Sequence, residues 1–343
     1  FPLLYRLGWA PRVFAPSLRN RGGELAPRAG TLMQNWPRET VRLIFLGDIS
    51  AVANRETPIC DPQLQQLLAS ADLVVANCES PVVRRPLSPF RTRLGTRHAM
   101  DMRFLIGLLA EISVEPARLA LSLANNHALD QGIAGFEQTV EALDHLGIDL
   151  IGTAKGGLQR LDVGGVTVGL LAFTQWRNAS AAAFKGRVIE PKRAVRLLEG
   201  AADTVDLLCA VPHWDWEFQH FPRAETRELA ARLDRKGVRL IAGHHAHVLQ
   251  SVEQVGDALV AYGLGDFLGT AWTWQTWPGR IGAMLVAEVS ADIATRGQVA
   301  GYEIVPFMRL SDGNRERLTP LSALAEAQRL RAEKRLDAIF GTD

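Results

Sequence analysis

Short β-branched apolar runs alternate along the chain with stretches of helical period, and the runs stop again and again at Gly, Asp, Asn or His. Val41-Arg42-Leu43-Ile44-Phe45-Leu46 halts at Gly47-Asp48, the pattern of a buried strand running into a loop. Asp61 and Pro62 supply an N-cap and a first-turn proline ahead of Leu64, Leu67 and Leu68 at helical spacing, and residues 72–76 read as the next strand. The alternation continues with a helix over 102–112, a strand over 119–123, a helix over 132–146 closed by Gly147, and a strand over 148–151. A hairpin is predicted over 161–173, turning at Gly164-Gly165. Strands over 205–211 and 238–242 flank a helix over 224–236. Residues 252–264, and 281–289 with 299–307, read as antiparallel pairs, and 318–340 as a closing amphipathic helix. The sum is a layered α/β fold with a mixed sheet over 41–343.

Residues 1–40 have a different texture. Arg6, Arg12, Arg19, Arg21, Arg28 and Arg38 lie among Pro and Gly with no sustained period and no acid before Glu24, so a loosely ordered arm is predicted there. Across 343 residues, 38 Lys and Arg against 37 Asp and Glu leave a net charge of +1, which calls for no nucleic-acid partner; only a local patch could recognise a polyanion. Cys60, Cys78 and Cys209 are odd in number and widely spaced, and read as small buried hydrophobes. No apolar run approaches the roughly 18 residues of a membrane span. Because the first residue is Phe1 and not Met, location stays open between cytoplasm and envelope.

Five predicted strands end in ligand-type residues: Asp48; Asn77 and Glu79; Asn125, Asn126 and His127; His213; and His245 with His247. Ligand sites in open α/β sheets gather at such ends. Carboxylate, amide and imidazole groups without cysteine form a set suited to one or two divalent ions of Mn, Fe or Zn. Any one of these residues alone would be an ordinary turn or cap residue; their coincidence points to a metal centre.

The blocks Phe45-Leu46-Gly47-Asp48, Ala76-Asn77-Cys78-Glu79, Ala124-Asn125-Asn126-His127 with Asp130 and Gly132, His213-Trp214-Asp215-Trp216-Glu217, Gly243-His244-His245-Ala246-His247-Val248 and Tyr262-Gly263-Leu264-Gly265-Asp266-Phe267 resemble the CapA capsule-synthesis family of poly-γ-glutamate synthesis proteins, which look like calcineurin-type metallophosphatases. The resemblance covers about residues 41 to 270. It implies a four-layer αββα sandwich with mixed sheets and a metal site at the strand ends. By similarity, Asp48 and His247 would hold one ion and Asn126, His213 and His245 the other, with Glu79 as the bridging carboxylate. His127 would be the proton donor or phosphoryl clamp, with Asp130 either orienting it or capping the following helix. Ser50 stands where metallophosphatases place a ligand histidine. Asp215 and Asp266 stand where the family commonly has glycine and asparagine, adding negative charge. The family also implies a bacterial envelope setting.

Arg84, Arg85, Arg91, Arg93, Arg97 and His98 fall in one acid-free, Pro-containing loop, either a solvated surface or a site for a polyanion. Arg91, Arg93 and Arg97, with Asn77 and a wall of Trp272, Trp274 and Trp277, are the substrate-facing candidates. The expected partner is an anionic polymer or a phosphorylated or carboxylated precursor. Three functions fit: a phosphoesterase-type hydrolase, a polymer-binding, tethering or export protein, and a relic without metal.

Overall fold

The computed structural model of the protein describes residues 3–20, 22–51, 56–269 and 276–341. In chain order, β1 (Ala29–Thr31), β2 (Thr40–Ile49), β3 (Ile59–Cys60), β4 (Leu73–Cys78), β5 (Leu119–Ser122) and β6 (Asp149–Ile151) enter a first sheet. The strands β7 (Gln159–Val163), β8 (Val166–Thr174), β9 (Leu207–His213), β10 (Leu240–Ala242), β11 (Val252–Val255) and β12 (Ala258–Ala261) build a second. The chain then returns to the first with β13 (Asp266–Leu268), β14 (Ile281–Ser290), β15 (Val299–Asp312) and β16 (Arg315–Pro320). The first sheet runs β3-β16-β15-β14-β2-β4-β5-β6, with β1 on β15 and β13 on β2; the second runs β11-β12-β10-β9-β8-β7.

Both sheets are mixed for the same reason. Helical crossovers such as Pro62–Ala69 and Met102–Glu111 make β2, β4, β5 and β6 parallel neighbours. Direct returns make β14, β15 and β16 antiparallel. In the second sheet the hairpin turn at Gly164 and Gly165 joins antiparallel β7 and β8, while β8, β9, β10 and β12 run parallel.

The period-two alternation of the second sheet divides its side chains between two cores. Val168, Leu170 and Ala172 of β8 and Leu207, Cys209 and Val211 of β9 join the large core shared with the first sheet. Their alternates Leu171, Phe173, Leu208 and Ala210 pack with Ala194, Leu198, Leu229, Ala230 and Leu233 from the helices around Pro191–Leu197 and Ala224–Asp234. On the first sheet, β4 and β5 are buried at every position, as a strand covered on both faces must be. The helices Pro62–Ala69, Met102–Glu111 and Gly132–His145 contribute Leu68, Leu105, Leu108 and Leu143 to that core. The architecture is thus a four-layer αββα sandwich.

Two expectations need correction. The predicted helix over 318–340 is strand at its start: Leu318 and Thr319 pair with Arg309 and Met308 of β15, Pro320 ends β16, and the helix occupies Glu326–Asp337. The described residues among 1–40 are also more ordered than their composition suggests. The short helices Leu3–Leu7 and Trp9–Phe14 sit against the 214–218 loop, and β1 pairs with β15. Trp9 donates its indole N–H to the Glu217 carboxylate, and Arg12 Nε donates to the Glu217 carbonyl at 3.0 Å. The Arg12 guanidinium lies 4.9 Å from the ring centroids of both Tyr5 and Trp216. This arginine of the expected loose arm is engaged in stacking worth about 0.5–2 kcal/mol per contact. Among the described residues, no helix is long and apolar enough to cross a membrane.

At the functional edge the sheets are joined directly. His244 Nε2 donates to the Leu46 carbonyl at 2.9 Å, binding the end of β10 to β2. Beside it, a Cβ on Gly243 would lie 1.9 Å from the Tyr262 carbonyl oxygen and 2.4 Å from Trp214 Nε1. Gly243→Ala should therefore lower stability by about 3 kcal/mol or prevent folding, at the upper end of overpacking costs. Denaturant unfolding checks this, and an unchanged midpoint would refute the packing described.

Candidate metal centre

Strand ends from both sheets converge on one edge. From the first sheet, β2 carries Asp48, β4 leads to Glu79, β5 to Asn125, Asn126 and His127, and β13 opens on Asp266; from the second, β9 ends on His213 and β10 leads to His245 and His247. The approach of β13 to β2 requires glycine at position 47, where a Cβ would sit 2.0 Å from the Gly265 carbonyl oxygen. His245 and His247 hold φ of 88° and 53°, and Asp215 and Phe218 hold 64° and 60°. Left-handed backbone costs a non-glycine residue about 1–2 kcal/mol, so strain is concentrated at this edge.

Asp48 and Glu79 are both 0 % exposed. Asp48 Oδ1 accepts from Asn77 Nδ2 at 2.6 Å, and its Oδ2 accepts from the His245 backbone N–H at 3.0 Å. Glu79 has no such support: among the described residues neither carboxylate oxygen has a hydrogen-bond partner, and His213 Nε2 and His247 Nε2 lie 3.5 and 3.9 Å from Oε1. A buried carboxylate without hydrogen bonds costs several kcal/mol, and a divalent cation would relieve that cost. The ligand atoms of Glu79, His245 and His247 lie within 4.8 Å of one another, as do those of Asp48, Glu79, His247 and Asp266. The two sets share Glu79 and His247, and this buried cluster could hold a metal ion. His213 and Asn126 flank it, with His213 Nε2 2.7 Å from Asn126 Oδ1.

Protonation is skewed throughout. Burial, then the charge of Asp48, holds Glu79 well above the ordinary carboxylate range, and burial raises Asp48 too. Burial and neighbouring imidazoles hold His213 and His245 well below the usual value. His247 is the exception: burial pulls it down, but Asp266, Glu79 and Asp48 outweigh that and leave it well above. Burial pushes the Cys78 thiol up to about 12, so the cysteine next to Glu79 stays protonated and uncharged.

His127 stands at the rim, its side chain 12 % exposed, with Nδ1 2.6 Å from Asp130 Oδ2. Asp130 does not cap the following helix: Gln131 occupies the N-cap without a side-chain bond, while Asp130 Oδ2 also accepts from the His98 backbone N–H at 2.7 Å. The His98 ring stacks on His127 at 3.5 Å between centroids and 8° between planes, and its Nδ1 lies 3.3 Å from Ser50 Oγ. Asn178 brings Nδ2 within 3.3 Å of the His127 ring. Neither His98 nor Asn178 stands out in the sequence as a site residue. His98 is hidden at the end of an arginine-rich stretch, and Asn178 has no signal besides its place after β8.

The remaining candidates are scattered. Asn77 is buried, bonded to Asp48 and 3.2 Å from His213 Nδ1, so it braces these two side chains and does not face the open rim. Arg91 and Arg93 are exposed on the helix Pro89–Arg93, and Arg97 donates to the Asp130 carbonyl at 3.0 Å. Trp277 is no open wall: Arg331 and Arg335 cover its ring at 4.1 and 5.1 Å. Trp272 and Trp274 lie outside the described residues. The aromatic rings beside the cluster are Trp176, 5.7 Å from His245 and 5.5 Å from Tyr5, and Phe218, 5.9 Å from His247.

A family model described as Bacterial capsule synthesis protein PGA_cap matches residues 42–271. The PGA biosynthesis protein CapA of Bacillus subtilis (strain 168) is 26% identical over 221 residues, 61% of this chain and 57% of that protein. The Capsule biosynthesis protein CapA of Bacillus anthracis is 27% identical over 256 residues, 68% of this chain and 61% of that protein. The chain thus spans about three fifths of the length of these curated relatives. A solved structure described as a hypothetical protein from Thermus thermophilus aligns with a TM-score of 0.43 and 18% identity, over 82% of this chain and 98% of that one.

The protonation pattern fixes a pH dependence for the chelated protein. Above about pH 7.5, His98, His213, His220 and His245, all lowered by burial, are neutral folded and unfolded and add no slope. Glu79 and His247 retain protons in the folded state that the unfolded chain has released, so stability falls as pH rises above about 7.5, until those two groups release their protons. Saturating Mn²⁺ should flatten this slope and add about 3–4 kcal/mol at 100- to 1,000-fold its dissociation constant. Glu79→Gln should gain none of that increment. Denaturant unfolding at three pH values, with chelator and with Mn²⁺, measures both effects.

Proposed function

The chain belongs to the bacterial capsule synthesis family PGA_cap, and from that premise we propose that it is a metal-dependent hydrolase of the phosphoesterase type. Its substrate would be an anionic exopolymer such as poly-γ-glutamate, or a phosphorylated or carboxylated precursor of one. The observation that carries this reading is the buried, unpartnered Glu79 carboxylate lying among His245, His247 and Asp48, with a His127–Asp130 dyad at the rim. Asp48, Glu79, Asn126, His213, His245 and His247 would hold one or two ions of Mn, Fe or Zn, donors whose hardness suits those metals. A divalent cation held there supplies Lewis acidity toward a phosphoryl oxygen and toward water.

The protein's own groups do the rest. Asp130 takes the Nδ1–H of His127, so Nε2 is the atom that gives a proton to a leaving oxygen. The stacked His98 and the Asn178 amide restrict the His127 ring, which keeps Nε2 facing the rim. Arg97, tied through its guanidinium to the Asp130 carbonyl, carries positive charge to the same rim, and the exposed Arg91 and Arg93 extend it outward for a polyanion. Inside, Asn77 fixes Asp48 and His213 together through one amide.

Turnover of an aryl phosphate by the Mn²⁺-loaded protein tests this. His127→Ala should leave metal content unchanged and reduce kcat by about 10²–10⁴-fold, the usual contribution of a proton donor. Asp48→Ala and His245→Ala should strip the metal. A fully loaded protein that binds poly-γ-glutamate in a salt-sensitive manner but turns over no phosphoester would replace hydrolysis with polymer tethering.

A further inference from the structure

Behind the metal cluster runs a buried chain of charges that continues past the family blocks. His247 Nδ1 lies 2.7 Å from Asp266 Oδ1. Asp266 Oδ2 accepts from Arg309 at 3.1 Å, and Arg309 also donates to Glu316 Oε1 at 2.8 Å. A third bond goes to the Gly279 carbonyl at 2.6 Å, and Glu316 Oε2 accepts the Gly269 N–H at 3.0 Å. Arg309 and Glu316 are each 1 % exposed. The cradle is shaped for the guanidinium: a Cβ on Gly269 would fall 2.0 Å from its terminal nitrogen. Arg309 sits on β15 and Glu316 on β16, beyond the matched segment 42–271.

Stability does not explain such a group. Desolvating three charges offsets most of their mutual attraction, and buried ion triads are commonly matched or exceeded by apolar replacements. Their location does explain them, because histidine ligands of metals ordinarily donate their second ring N–H to an outer carboxylate. Both Asp266 oxygens have partners, one in His247 and one in Arg309, which fits an outer group better than a ligand.

We infer that Asp266, held by the Arg309–Glu316 pair, is a positioning residue for His247, fixing its Nδ1–H inward so that Nε2 faces Glu79 and the cation. This rests on the metal reading above and extends it to residues outside the family segment. Coulomb's law gives the inference a diagnostic sign. If Asp266 were itself a ligand and Arg309 only a nearby positive charge, removing Arg309 would tighten cation binding. If Arg309 positions Asp266, removing it loosens binding.

Mn²⁺ titration of the full chain by calorimetry, with circular dichroism to establish folding, separates these cases. Asp266→Asn, which keeps the side chain's size, and Arg309→Met should each weaken Mn²⁺ binding about 10–100-fold, with Arg309→Lys in between. Should Arg309→Met fail to fold, Asp266→Asn with ¹⁵N-histidine NMR of the Zn²⁺-loaded chain decides: the parent should show one more imidazole fixed as the Nδ1–H form than the variant. Unchanged affinity in Asp266→Asn, or tighter binding in Arg309→Met, overturns the inference alone. A parent chain that takes up no Mn²⁺ overturns the metal reading beneath it as well.

Discussion

The carboxylate of Glu79 is fully buried and, among the described residues, unanswered by any hydrogen bond, and the surrounding structure is organised about that fact. Protein interiors rarely tolerate such a group. Here it is kept beside a second buried carboxylate and near His213 and His245, which burial holds well below the usual imidazole value, an arrangement that could hold a cation at its centre. Four non-glycine residues in left-handed backbone, two of them histidines of the buried cluster, mark the same edge as the place where stability has been given up for geometry.

The sandwich makes this possible because the cluster is drawn from both sheets. Asp48, Glu79 and Asp266 come from one, and His213, His245 and His247 from the other. The His244 bond to the Leu46 carbonyl ties the two sets together, and the close contact of Gly243 with Tyr262 packs the end of β10, from which His244 leaves, against the end of β12. Glycines in the family blocks are therefore steric necessities of the site's frame as well as turn formers. The Arg309–Glu316 pair extends the frame to the C-terminal strands, so residues far from any motif bear on how His247 is aimed.

Much of this is legible in the sequence, for identifiable reasons. Strands buried on both faces leave continuous apolar runs, and the ligand residues fall at their ends, so β2, β4, β5, β9 and β10 and the residues after them can be read directly. Partnerships set by tertiary contact cannot. Asn77 looks substrate-facing in sequence because its bonds to Asp48 and His213 depend on the packing of two sheets. Asp266 looks like surplus charge because its counter-ion lies 43 residues onward. His98 passes for part of a basic loop although it is buried and stacked on His127. The N-terminal arginines have no periodicity, and only the aromatic surfaces they meet, Tyr5 and Trp216 for Arg12, give them a place. In 318–340, apolar spacing hides the change from strand to helix that Pro320 makes.

Anomalous diffraction from crystals grown with Mn²⁺ would locate the ion itself. The expected map has one or two peaks bounded by Asp48, Glu79, His245 and His247, with Glu79 touching every ion present. A map with no peak among those side chains, or with manganese bound only elsewhere on the protein, would show that the buried carboxylate serves some purpose other than holding a metal.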